Sequence, residues 1–320
     1  MSSTACSLQV SLFGGVRAAA GDARGTLDAV PLQVRSQQLL ALLVLAWGHS
    51  RGRAELCRDL WDEDAGRPDT QSTCFSTALW RLRRSLLSVC SGAEQLVQCD
   101  RAGCVRLSSD GRVSTDLDAI RAALPLLAKP VAALQEQDVA CMQGAVRSYR
   151  GDLLAGIESS WALRERETLR RHQLNMLGRL MQCCALAADV LGAIGYGQMV
   201  LDMDPLREDI HRELIRLYVL SGQRAQALMQ FETCRDVLRR ELAIPPMQET
   251  LALYQHIANA ALGRGTAPPE TRGVLPLLPG DAPALLPGLA SRRPGDLLAH
   301  ARSHLAAADT ALRQAQPLLD

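Results

Sequence analysis

A chain of 320 residues, 48% hydrophobic and 22% charged, has the make-up of a globular protein of about two domains and not of a disordered chain. Its net charge of +1 excludes a globally basic surface, so any nucleic-acid-binding face has to be local. Lys129, beside Pro130, is the only lysine among 35 basic residues, which argues against a phosphate-binding Walker loop, a kinase site and a Schiff-base enzyme.

The predicted elements begin with short strands over residues 8–34. Leu8, Val10 and Leu12 alternate with polar neighbours until Gly14-Gly15 breaks the run. Leu27, Val30, Leu32 and Val34 give a second strand-like stretch around Pro31. A helix is expected from about Arg35, where Leu39, Leu42, Leu43 and Ala46 recur at three- and four-residue spacing. A second runs from about Arg53 to Trp61, and a polar loop covers Asp62 to Asp69.

The third helix, about Thr70 to Val89, is the most informative. Phe75, Leu79, Leu82 and Leu86 form its apolar stripe. With Leu79 at zero, Thr73, Thr77, Trp80, Arg81 and Arg84 fall between about 100° and 200°. The face turned from the core thus carries two hydroxyls, two guanidinium groups and an indole. Arg83, only about 40° from Leu79, is expected to pair with a neighbour or a phosphate and not to read bases. Two strands, Leu96 to Cys99 and Cys104 to Leu107, then flank Asp100-Arg101-Ala102-Gly103 as a hairpin.

Strands, three helices and a hairpin make a winged helix-turn-helix (α+β). The third helix would enter the major groove and the hairpin would touch flanking DNA. Arginine neutralises phosphates or forks onto guanine, and threonine reaches phosphates or base edges. The candidate DNA-binding residues are Thr73, Thr77, Trp80, Arg81, Arg83, Arg84 and Arg101. If Arg81 reads a base, Arg81→Ala costs about 1–3 kcal/mol of binding. The plainer reading of Arg81, Arg83 and Arg84 is a solvated helix end, where cations are favoured anyway.

From about residue 117 the chain reads as helical, with Pro125 and Pro130 in a connector. Two regions correspond at an offset of 34: Leu180 with Leu214, Cys184 with Tyr218, Ala193 with Ala227, Val200 with Cys234, and Gly197 with Phe231 in position only. That period, with Tyr218, Gly222, Ala227 and Phe231, is the tetratricopeptide pattern. Such helix pairs bury their apolar faces by stacking, so a further unit is expected near 138–170 with Trp161 in its core. The fold class is mainly α: an N-terminal winged helix-turn-helix followed by an all-α tetratricopeptide-like helical repeat domain. The expected limits are 1–115 for the DNA-binding domain, 116–262 for the repeats, 263–295 for a Pro/Gly-rich linker and 296–320 for a C-terminal helix.

This arrangement resembles bacterial transcriptional activators of the antibiotic-regulatory type, the AfsR/DnrI-like group, over about residues 8–260. Thr77-Ala78-Leu79-Trp80-Arg81-Leu82-Arg83-Arg84 resembles the end of that family's recognition helix, itself similar to the OmpR winged helix. Tyr149-Arg150-Gly151-Asp152-Leu153-Leu154, Asp204-Pro205-Leu206-Arg207-Glu208, and Ser221-Gly222-Gln223 through Ala227-Leu228 resemble the bacterial transcriptional activation domain. The resemblance implies sequence-specific binding to double-stranded DNA at promoter repeats and contact with RNA polymerase. Ser72 and Phe75 depart from the related sequences, which often carry Arg and a smaller residue there.

Other chemistry has little support. Cys99 and Cys104 flank the hairpin turn and could face each other, but zinc needs four ligands. Cys183 and Cys184 point about 100° apart. His300 and His304 share a helix face without a further ligand. No cofactor, metal or enzymatic activity is expected. The longest apolar run, Leu39 to Trp47, is too short for a membrane span, and Met1 to Gly15 carries no secretory signature. The protein is therefore expected in the cytoplasm, associated with the nucleoid, with its cysteines reduced. Self-association is the remaining partner expectation. The alternative reading is a non-DNA-binding tetratricopeptide adaptor, motivated by the near-zero net charge; salt dependence separates the two, because phosphate contacts weaken steeply with salt.

Overall fold

The computed structural model describes residues 6–21, 27–46, 48–61, 68–89, 95–108 and 110–261, with side chains except at 68–72 and 260–261. The linker expected at 263–295 and the helix expected at 296–320, with His300 and His304, lie outside the described residues.

The chain opens with β1 (Ser7–Ser11), β2 (Arg17–Gly21) and β3 (Leu27–Ala29). Gly14 and Gly15 turn β1 back onto β2 with φ of 69° and 106°, a region glycine enters without steric cost. The expected strand around Pro31 stops at Ala29, and Val34 already belongs to α1 (Val34–Leu45). Proline has no N–H for a ladder, so the strand ends short of it. After α2 (Arg53–Trp61) and α3 (Pro68–Leu87) come the hairpin strands β4 (Val97–Cys99) and β5 (Val105–Leu107), then β6 (Val113–Thr115). β6 was not read from the sequence. It pairs parallel to β1, Leu8 against Val113, and completes a sheet of order β3-β2-β1-β6.

The core stripe of α3 is Phe75, Ala78, Leu82 and Leu86, all buried, while Leu79 lies half-buried at its edge. Its centre therefore sits roughly 55° from the direction taken as zero in the sequence, towards Ala78. That shift carries Arg83 out to a flank.

The helical part starts with α4 (Asp118–Ala123) and α5 (Glu136–Ser148), which pack together. Next is α6 (Ser160–Leu186), a single unbroken helix. The helices near 138–170 are α5 and the first part of α6: α5 packs on both α4 and α6, and Trp161 is buried near the start of α6. Then follow α7 (Val190–Met203), α8 (Glu208–Leu220), α9 (Arg224–Leu242) and α10 (Gln248–Ala261). α6 packs on α7, α8 on α9, and α7 on α8. The 34-residue correspondence is the packing pattern: Leu180 and Leu214, Ala193 and Ala227, Val200 and Cys234 are all buried. The Gly197–Phe231 mismatch has a cause. A Cβ at Gly197 would come within 2.8 Å of Leu214 Cδ2, so glycine lets α7 approach α8. Phe231 instead stacks on Tyr254 of α10 at 4.1 Å between centroids.

α10 is held by a buried polar cluster. Glu208 Oε1 accepts from the Met247 amide at 2.7 Å and from the Thr250 hydroxyl at 2.6 Å. Beside it His211, 2% exposed, donates from Nε2 to Pro205 O at 3.0 Å and accepts at Nδ1 from Gln230 at 2.7 Å. Burial lowers the His211 pKa against the opposing pull of the Pro205 carbonyl, Glu208 and Asp209. The unfolded chain then binds the extra proton first, near pH 6.5, so stability is full above that pH and falls as pH drops through it. Urea unfolding at pH 7.5 and 5.5 should show this loss, and His211→Gln should shrink it. An unchanged loss in the variant would assign it to other groups, such as His172, also lowered by burial.

Candidate nucleic-acid interface

Thr73, Thr77, Trp80, Arg81 and Arg84 are all exposed on α3, and Trp80 keeps 57% of its surface open. The Thr77 hydroxyl donates to Thr73 O at 3.0 Å, one turn back. Arg84 lies over the Trp80 ring at 5.1 Å, within cation–π range. Arg81 donates from Nη1 to Gln33 Oε1 at 2.8 Å. Gln33 is the residue before α1 and has no helical periodicity to single it out, so the sequence reading missed it.

Arg83 does not join this face. Its Nη2 donates to Val97 O at 2.9 Å and ties α3 to β4, and its Nε is buried without a partner. Arg83, expected to pair with a neighbour or a phosphate, is bonded to a neighbour here.

The hairpin is built to hold its turn out. Asp100 N donates to Cys104 O at 3.0 Å, and the Asp100 carboxylate accepts from the Cys104 amide at 2.8 Å. Gly103, at φ 80°, closes the turn on Asp100 O. Arg101 is exposed at the tip. Behind it, Arg51 and Val105 exchange backbone hydrogen bonds at 2.9 Å, anchoring the hairpin to the chain before α2. Burial works against the Arg51 charge, but hydrogen bonds and attraction from Glu55 and Asp59 outweigh it and raise its pKa. Cys99 is paired with Val105, so Cys104 stands one residue out of step and on the opposite face of the hairpin. The two thiols do not face each other as the turn spacing allowed. Among the described residues no group of three or more His, Cys, Asp or Glu could hold a metal ion.

The winged helix is joined to the repeats through Tyr149–Leu154. Phe13 and Leu153 form an antiparallel bridge. Gly14 N donates to Asp152 O at 2.9 Å and Leu154 N to Leu12 O at 2.8 Å. Asp116 accepts from Leu12 N at 2.8 Å and Phe13 N at 3.0 Å, and Phe13 meets Tyr149 edge-on at 5.2 Å. From α6, Arg166 donates to the carbonyls of Leu153, Leu154 and Ile157 at 2.7, 2.8 and 2.7 Å.

Residues 99–258 match the family of the bacterial transcriptional activator domain. The chain belongs to this family. It is also similar to the regulatory protein AfsR of Streptomyces coelicolor, 26% identical over 286 residues, covering 85% of this chain and 27% of that protein. The AfsR of Streptomyces griseus is 27% identical over 307 residues, covering 90% of this chain and 28% of that protein. The chain thus spans little more than a quarter of the length of these relatives. In structure it resembles Mycobacterium tuberculosis EmbR, solved in complex with a low-affinity phosphopeptide. The TM-score is 0.63 at 20% identity, over 80% of this chain and 66% of that one. That likeness concerns the fold: a small N-terminal winged helix followed by helical repeats. Within the bacterial transcriptional activator domain, the Tyr149–Leu154 motif is the joint just described. No helix among the described residues is long and apolar enough to cross a membrane.

Proposed function

We propose that this protein is a sequence-specific DNA-binding transcriptional regulator, an activator, that sets α3 in the major groove and Arg101 on the flanking backbone. The observation that carries this reading is the exposed α3 face, where two arginines and an open tryptophan continue a threonine stripe beside an arginine-tipped hairpin. Membership of the activator-domain family and likeness to proteins named as regulators support it. Residues 1–115 are assigned to DNA and 116–262 to partners, RNA polymerase first and a second copy of the chain next. The place of action is then the cytoplasm, on the nucleoid. No catalytic role is assigned to any residue.

Selection of bound duplexes from a random library, followed by salt titration on the winner, tests the reading. An enriched motif whose affinity falls steeply with salt is expected. Arg101→Ala should weaken binding about equally on all sequences and flatten the salt slope by about one. Retention without enrichment and without salt dependence would overturn the DNA reading and favour the adaptor.

A further inference from the structure

The stripe on α3 is not uniform along its length. Thr73 sits in the first half of the described helix. Trp80, Arg81 and Arg84 lie roughly 10 to 17 Å further along the axis at 1.5 Å per residue. There they meet a different wall. Pro31, Leu32 and Gln33, from the connection before α1, face them across an open groove of about 510 Å³. Ser85 and Ser88 extend its floor, and among the described residues no carboxylate lines it.

Around the helix the positions differ too. Measured from the centre of the core stripe, Thr73, Trp80 and Arg84 lie within about 30° of the opposite direction. Arg81 lies only about 105° from the core, on the flank towards α1. Its hydrogen bond to Gln33 is the consequence. Arg84 is likewise held, over the Trp80 ring. Both guanidinium groups are thus pre-positioned at the groove and not extended along the axis of a base-reading face.

We infer that Trp80, Arg81, Arg84 and Gln33 form a groove that grips one sugar–phosphate strand at the rim of the major groove, leaving base reading to the helix half around Thr73 and Thr77. The inference rests on the DNA-binding reading and refines it. The chemistry of the walls carries it. Two fixed cations and two hydroxyls suit phosphate oxygens, while Pro31, Leu32 and the indole suit the apolar face of deoxyribose. The major groove is only about 12 Å wide, so a helix that seats its first turns there brings its later turns up beside the backbone. Gln33 acts as a positioning residue for Arg81.

The test uses the full chain and the duplex selected above. Affinity is measured against salt, against every single-base variant of the site, and against duplexes carrying one neutral methylphosphonate at a time. Arg81→Ala and Arg84→Ala should each weaken binding about tenfold, the loss of one charge-assisted hydrogen bond, equally across base variants. Each should flatten the log–log salt slope by about one. A methylphosphonate at the gripped position should cost the parent protein about tenfold and Arg84→Ala nothing further. Gln33→Glu, an exposed change that puts a carboxylate in the groove, should weaken all sites alike, and Gln33→Asn should recover part of the affinity that Gln33→Ala loses. Losses confined to one base pair would make these residues base readers and overturn the division. Unchanged affinity and slope would take the groove away from DNA and give it to a protein partner. A parent protein that selects no duplex at all would instead defeat the DNA reading itself.

Discussion

Phe75→Ala is expected to cost about 3–5 kcal/mol of folding stability and, through that loss alone, to lower DNA affinity. Phe75 is 1% exposed and anchors the first half of α3 in the core. The Arg53 guanidinium lies 5.2 Å from its ring centroid and also donates to the Ser76 hydroxyl at 2.6 Å. Removing the ring opens a cavity beneath the half of the helix assigned to base reading and strips Arg53 of its aromatic platform. Urea denaturation measures the cost, with Thr77→Ala as a surface control expected to stay within about 0.5 kcal/mol. The two variants should separate stability from recognition. Phe75→Ala should lose stability and regain DNA affinity when the temperature is lowered towards its stability maximum. Thr77→Ala should lose DNA discrimination at every temperature. A Phe75→Ala protein within about 1 kcal/mol of the parent would show that α3 is held by something other than this core contact.

What the sequence made legible was whatever repeats locally. Leu8, Val10 and Leu12 alternate because one side of β1 is buried, and all three are. The 34-residue offset was visible because Leu180 and Leu214 fill the same place in successive helix pairs. What stayed hidden depends on partners distant in the chain. β2 is Arg-Ala-Ala-Ala-Gly, a composition with no strand preference, and it is a strand because it pairs with β1, Ser7 against Gly21 to Ser11 against Arg17. β6 is three residues long and finds its neighbour a hundred residues earlier. The stripe of α3 differs from the expected one at a single position: Ala78 is buried where Leu79, the larger apolar residue, lies half-buried, and the Ser36 hydroxyl donates to the Ala78 carbonyl at 3.4 Å. On the proposed DNA face, the stripe itself came from helical angles. Gln33 could not, since nothing local links a residue before α1 to an arginine forty-eight positions on.

The second large effect is expected at the joint between the winged helix and the repeats. Arg166→Ala should cost about 3 kcal/mol, because three carbonyls lose a charged donor at once and the side chain is only 22% exposed. The segment it serves is demanding. Leu154 is fully buried yet has φ of 56°, in a region that non-glycine residues enter at a cost. Gly151 and Gly156, at φ 102° and 83°, bracket it. Arg166 offsets that cost by donating to the carbonyls of the twisted turn, of which Leu154 O also accepts from Ile157 N at 3.0 Å. Arg166→Lys should recover less than half of the loss, since an ammonium cannot reproduce the planar fork that spans Leu153, Leu154 and Ile157. The consequence reaches beyond stability. The same turn supplies the Phe13–Leu153 bridge, so loosening it frees the winged helix from the repeats. Calorimetry should show one thermal transition in the parent and two in Arg166→Ala, with protease nicking appearing near residues 149–157. A single transition shifted as a whole would mean that Asp116 and the Phe13–Tyr149 contact hold the joint without Arg166. In that case the turn is pinned from the β1 side, and Asp116→Asn, which weakens the acceptor for both the Leu12 and Phe13 amides, becomes the variant expected to split the transition.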